Sequence, residues 1–168
     1  MNAHSLPMSM NADPNPAGPT LPPGAARIGR WIIPGVPAGW AWIPGLGIQR
    51  QASGSVPSNV CLKEDELLAG NQLALYIQAQ ITLMKRTFLD PQIAGPAPLT
   101  VPGATEAALL MIKHQPMNGT TVFQVQHYIR VARWIGIATL STVDSELLQV
   151  RPDFDAFIRL LKFDPEPQ

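Results

Sequence analysis

Charge is scarce in this sequence: 14% of the residues are Asp, Glu, Lys or Arg, against 46% hydrophobic. Twelve basic residues balance twelve acidic ones, and no run of Lys or Arg interrupts that balance. The electrostatic footprint of nucleic-acid binding is therefore missing, as is the basic stripe of an anionic-membrane binder. Cysteine is nearly absent. Cys61 stands alone, which excludes an intramolecular disulfide and with it a disulfide-stapled secreted scaffold. Long apolar runs are lacking too. The stretch 39–48 is cut by Pro44 and falls well short of the roughly 20 residues that span a bilayer. Residues 1–10 carry neither Lys nor Arg and no apolar segment, so they do not read as a secretory signal. A cytoplasmic location without direct membrane insertion is the expectation.

Catalytic signatures are also missing. The sequence contains no GxSxG, no P-loop and no GxGxxG, and Gly45-Leu46-Gly47 lacks the phosphate-binding pattern. His4, His114 and His127 share no metal-ligand spacing, and Cys61 has no CxxC companion. No enzyme, metal site or cofactor is expected. One nucleophilic arrangement stays open, a pairing of Cys61 with His114 or His127. The plainer reading of Cys61 is a half-buried strand cysteine acting as a small hydrophobe.

What is present is unevenly distributed. Ten of the 18 prolines and eight of the 13 glycines lie in residues 1–57, with only Asp13, Arg27, Arg30 and Arg50 as charges. Residues 1–26 lack any apolar period and read as a disordered, Pro-rich tail. Residues 27–168 then form a single domain whose first part, 27–57, is a Pro/Trp-rich arm. Trp31, Ile32, Ile33, Trp40, Trp42 and Ile43 are too apolar for a solvated linker, while Pro34, Pro37 and Pro44 forbid a regular helix and disfavour central strands. The arm is expected to be extended and irregular, either lying across the domain or a dimer contact, or sealing one end of the core.

Regular patterns begin at Asn59. Residues 59–63 form a short strand. Residues 66–88 form the best helix, because Leu73, Ile77, Ile81, Met84 and Phe88 share one face, and Asp90-Pro91 ends it. Glu64-Asp65-Glu66 would sit on its first turn, in favourable contact with the helix dipole. Gly95-Pro96-Ala97-Pro98 reads as a loop, residues 99–101 as a strand and Pro102-Gly103 as a turn. Residues 106–114, 121–130 and 134–141 are strands, and Asn118-Gly119 marks a hairpin. A last helix over 152–162 presents Phe154, Phe157, Ile158 and Leu161, with Asp153 and Asp155 at its start. Strands grouped between helices imply an α+β fold, with an antiparallel sheet of five to six strands backed by two main helices.

The stretch 122–130 is the informative one. Alternate residues face opposite sides of a sheet. Phe123, Val125 and Ile129 make an apolar face that packs on the helices, while Gln124, Gln126, Tyr128 and Arg130 make the other. A two-residue turn at Asn118-Gly119 sets Lys113 opposite Gln124, Met111 opposite Gln126 and Leu109 opposite Tyr128. This second face mixes amides with large apolar groups, where a solvated face would carry more charge. Such amides can bond to the backbone of an incoming apolar peptide without desolvating a charge. The occupant is either a partner protein, the chain's own tryptophan arm or a twin subunit.

The order and spacing of several segments resemble the DcrB-like, Mog1/PsbP-fold proteins associated with bacterial type VI secretion effectors. These segments are Asn59-Val60-Cys61-Leu62 with the acidic turn after it, Tyr76-Ile77-Gln78-Ala79-Gln80 in the long helix, and Val122-Phe123-Gln124-Val125-Gln126. Trp134-Ile135-Gly136-Ile137-Ala138-Thr139 and Arg151-Pro152-Asp153-Phe154-Asp155-Ala156-Phe157 complete the set. The resemblance covers about two-thirds of the chain, 57–163. It implies a homodimeric chaperone or adaptor that holds the apolar N-terminal helices of a secreted effector in a groove on the sheet until the effector is loaded. Gln124 and Gln126 would then be polar contacts in the groove, beside Tyr128, with Val60, Leu62, Leu109 and Met111 as apolar candidates. A structural or regulatory protein-binding module of the same fold is the other reading.

Overall fold

Proline and glycine punctuate the arm so closely that only short strands fit between them. A computed structural model describes residues 24–51, 57–116 and 119–166. Most of the expected tail, His4, and Asn118 of the expected hairpin turn lie outside these residues. The arm holds four strands, β1 (Ala26–Ile28), β2 (Trp31–Ile33), β3 (Trp40–Ile43) and β4 (Gly47–Arg50). Next come β5 (Asn59–Glu66), α1 (Leu73–Thr87), β6 (Gln92–Pro98), β7 (Glu106–His114), β8 (Val122–Val131), β9 (Trp134–Val143), α2 (Leu147–Leu160) and β10 (Lys162–Phe163).

Seven strands make one antiparallel sheet in the order β3-β4-β5-β9-β8-β7-β6, and β1, β2 and β10 make a small second sheet. The α+β class and the two helices agree with the sequence reading. The helices, however, do not share a face. On one face Leu73, Ile77, Ile81 and Met84 of α1 pack on Leu110, Ile112, Tyr128 and Ile135. On the other, Val150, Phe154 and Phe157 of α2 pack on Val60, Leu62, Val125, Ile129, Ala138 and Leu140. The central strands are apolar on both sides, so a helix on one face alone would leave the other wet.

The arm seals the α2 face. Trp31 and Trp40 are buried there, and their indole N–H groups donate to the Lys63 carbonyl (2.8 Å) and to Asp153 Oδ2 (3.0 Å). Trp31 also meets the Phe163 ring edge-on at 5.0 Å. This docking needs Gly136 on β9, because a Cβ at that position would stand 2.6 Å from Trp31 Cζ2 and 2.7 Å from Phe163 Cδ2.

Several boundaries differ from the sequence reading for local reasons. β5 runs through the acidic cluster, so Glu64, Asp65 and Glu66 are strand residues, bonded to Arg30, Tyr76 and Arg133. Gly70, at φ +83, lies between that strand and α1, and the first turn of α1 is served by Glu106 Oε2, which accepts from Leu73 N–H at 3.4 Å. The Gly95–Pro98 stretch lies within β6 rather than in a loop, and 99–101 follows the strand. Pro96 and Pro98 remove ladder donors there, which suits an edge strand. α2 begins at Leu147, five residues before Pro152, so Asp153 and Asp155 are mid-helix and bond to Trp40 and Arg151.

Candidate functional site

Tyr128 begins a ladder of side chains along β8 on the α1 face. Its hydroxyl donates to Gln126 Oε1, and Gln126 Nε2 donates to Gln124 Oε1 at 3.3 Å. Exposure rises along the ladder: Tyr128 is 1% exposed, Gln126 is 8% exposed and Gln124 is half-buried. Tyr128 lies under α1, with the Tyr76 ring edge-on at 6.2 Å. Burial raises the Tyr128 pKa to about 12, so it stays a neutral donor. It is a core residue whose hydroxyl orients Gln126.

Beyond this ladder α1 no longer covers the sheet. Register places Gln124 opposite Ser141 and Asn59, Gln126 opposite Thr139 and Cys61, and Gln49 opposite Asn59. Gln49, Asn59, Cys61, Thr139, Ser141 and Gln124 are all half-buried, and the buried side chains of α1 pack elsewhere, with Leu110, Ile112, Tyr128 and Ile135. Among the described residues they form an open half-face of small and amide side chains. Tyr76 marks its α1 border, where its hydroxyl donates to Asp65 Oδ2 at 2.8 Å. The helical period puts Gln80 and Leu83 on the same flank, and Leu83 is exposed. Cys61 sits on this floor with its thiol 3.5 Å from Asn59 Oδ1. Burial raises its pKa, and the charge of Lys63 offsets this only in part, so the thiol is a weak nucleophile.

Four expected contacts belong elsewhere. Val60 and Leu62 are buried under α2. Leu109 pairs with His127 and Met111 with Val125, so both point to the α2 face, away from Gln124, Gln126 and Tyr128. The expected register was one residue off. The last register pair on this side is His114 with Val122, so the connection between the strands is longer than two residues. A one-residue slip moves every partner to the opposite face. The Cys61–His127 pairing fails for the same reason of parity, since the two side chains lie on opposite faces. His114 is three strands from Cys61, about 14 Å at ordinary strand spacing. It stacks on Phe88 at 4.1 Å, and burial lowers its pKa.

The α2 face holds a cavity of about 650 Å³ between α2 and the segment after β6. Leu99, Val101, Leu109, Ile158 and Leu161 supply its apolar wall, and His127, Arg151 and Asp155 its polar one. His127 is 8% exposed, rests edge-on against Phe154 at 5.2 Å, and has no hydrogen-bond partner on either ring nitrogen. Desolvation, and then the charge of Arg151, lower its pKa to about 4, with Asp155 opposing. Arg151 Nε donates to Asp155 Oδ1 at 2.8 Å. The sequence held a signal for this position: His127 shares the parity of Val125 and Ile129, which puts an imidazole on an apolar face. Among the described residues no group of three His, Cys, Asp or Glu could hold a metal ion, and no helix is long and apolar enough to cross a membrane.

No protein-family model and no curated protein matches the chain. Solved structures do. A Pseudomonas aeruginosa protein of unknown function, PA94, a candidate regulator, superposes with TM-score 0.61 at 18% identity, over 86% of this chain and 97% of that one. LpqN, involved in cell envelope biogenesis of Mycobacterium tuberculosis, gives 0.64 at 16% identity, over 80% and 83%. Cyanobacterial PsbP (CyanoP) from Synechocystis sp. PCC 6803 gives 0.58 at 11% identity, over 80% and 86%. At such identities the likeness is one of fold, and the fold is the PsbP-like one.

Proposed function

We propose that the chain is a non-enzymatic binding protein that receives an apolar segment of a partner protein on the open half of the α1 face. The observation that carries this reading is the composition of that half-face. Gln49, Asn59, Cys61, Thr139, Ser141 and Gln124, all uncharged at neutral pH, lie side by side across four strands and are half-buried, with the charges Lys63 and Asp65 of β5 confined to one border. A bare sheet face normally carries charge to stay wet. Here amides and hydroxyls offer hydrogen bonds, and the border with Leu83 offers apolar contact. A helix laid along the flank of α1 would bury both. The tryptophan arm, the rival occupant suggested by the sequence, is seated on the opposite face.

The finer form of the proposal rests on the sequence resemblance. The partner is a type VI secretion effector, the segment is one of its transmembrane-like N-terminal helices, and the chain is a cytoplasmic chaperone or adaptor. Two copies would bring two half-faces together as a groove. Co-expression with the N-terminal region of an effector encoded beside it tests this. The proposal expects a soluble complex that is lost in Thr139→Arg, which places a charge at the centre of the floor while the fold is kept. An effector region that is soluble alone and does not co-purify would contradict the effector reading. Capture unaffected by Thr139→Arg would contradict the site itself.

A further inference from the structure

Cavities of roughly 300–1,000 Å³ that are mostly apolar, with a few convergent polar groups, are the usual form of small-molecule sites. The α2-side cavity, about 650 Å³, has that form. It lies on the opposite side of the sheet from the proposed docking face, so it needs an occupant of its own. Two observations say what that occupant is. The first is His127, which lines the cavity, is 8% exposed, and has neither ring nitrogen bonded within the protein. A neutral imidazole still carries one N–H donor, and leaving it dry and unpaired is costly. The second is charge. Arg151, Arg159 and Lys162 line the cavity against a single carboxylate, Asp155. Three cations and one anion leave a net charge of +2 at the walls of an otherwise aliphatic space.

We propose that this cavity binds a small amphipathic carboxylate, with its aliphatic chain against Leu99, Val101, Leu109, Ile158 and Leu161. Its carboxylate oxygens accept from the His127 N–H and from the terminal nitrogens of Arg151. The Nε of Arg151 stays on Asp155 (2.8 Å), which holds the guanidinium fork in place. Arg159 and Lys162 are exposed, and they draw the anion toward the opening. Binding is non-covalent and involves no chemistry on the ligand.

The test is titration of the full chain with decanoate by calorimetry, with the His127 ring resonances followed by NMR. Decanol carries the same chain without the charge, and acetate carries the charge without the chain. The proposal expects saturable one-to-one binding of decanoate, decanol at least about tenfold weaker, equivalent to ~1.4 kcal/mol, and acetate without detectable binding. Saturation should shift the His127 ring resonances. His127→Phe should weaken decanoate about tenfold, the worth of one charge-assisted hydrogen bond. Leu109→Trp, which fills the space, should abolish binding, while Thr139→Arg on the docking face should leave it unchanged. No saturation by about 1 mM, a weak affinity even for a small ligand, would overturn the proposal. So would decanol binding as tightly as decanoate, full affinity in a folded Leu109→Trp variant, or unmoved His127 resonances at saturation. The resonance measurement uses the unaltered chain, so it decides the question even if a variant does not fold.

Discussion

Replacing Trp31 by alanine asks whether the arm is a structural part of the domain. Trp31 is 1% exposed, donates its indole N–H to the Lys63 carbonyl at 2.8 Å, and supports the Phe163 ring at 5.0 Å. Truncating a buried tryptophan costs about 3–5 kcal/mol, through lost transfer energy and the cavity left behind. The unpaired carbonyl adds about 1 kcal/mol if water does not reach it. Against a total stability of about 5–15 kcal/mol this is a large fraction. For a domain of this size it lowers Tm by roughly 10 °C or more, at about 2–4 °C per kcal/mol. Trp31→Phe keeps most of the packing and loses the N–H, so its cost should be about 1–2 kcal/mol. Urea denaturation followed by far-UV circular dichroism reads both, with the slope unchanged and the midpoint lowered. A cost below about 1 kcal/mol for Trp31→Ala would refute the reasoning, because the arm would then leave the domain at little expense and would be free to occupy another surface.

Three further outcomes follow from the same geometry. Gly136→Ala should destabilise by about 1–3 kcal/mol, because the new Cβ would fall 2.6 Å from Trp31 Cζ2 and force the small sheet outward; thermal melting checks it, and an unchanged Tm would contradict the close approach. Tyr128→Phe should cost about 1 kcal/mol, since it leaves the Gln126 carbonyl oxygen buried without its donor; urea midpoints check this, and a variant as stable as the parent would deny the ladder. His127 should make stability fall as pH drops from about 6.5 to about 4, because the unfolded chain binds this proton at the ordinary value while the folded chain resists it. Stability from this group is complete above that window and declines within it by up to about 3 kcal/mol; His127→Phe should flatten the urea midpoint across it, and an equally steep variant would assign the slope to other groups.

Much of the fold was legible because it rests on period. The strand over 106–114 matches β7 end to end, and the face Leu73, Ile77, Ile81 and Met84 of α1 is buried as its spacing required. Strand alternation also separated Val125 and Ile129 from Gln124, Gln126 and Tyr128 correctly. Two things escaped. Register depends on where two strands part, and a strong turn dipeptide does not fix that when the connection is long, so Leu109 and Met111 were assigned to the wrong face. The division of the helices between the faces is a tertiary outcome. With apolar residues on both faces of β7 and β9, alternation says that each needs a cover but not which element supplies it. For that reason Tyr128 read as an exposed contact when it lies beneath α1. The arm's tryptophans showed that they must be buried, while the choice among sealing the core, covering the docking face and meeting a second copy needed the small sheet with β10 to be seen.

The central claim is that the open half-face around Thr139 and Cys61 is where a partner segment lies. Cys61 is the chain's only cysteine and sits half-buried on that floor, so its alkylation rate reports directly on cover at the site. Thiol labelling of the purified complex, compared with the free chain under native conditions, is the measurement. The account predicts that a bound apolar segment slows Cys61 labelling by about tenfold or more, equivalent to ~1.4 kcal/mol of added protection. Labelling at the same rate with the segment bound would contradict it and move the binding site elsewhere on the molecule.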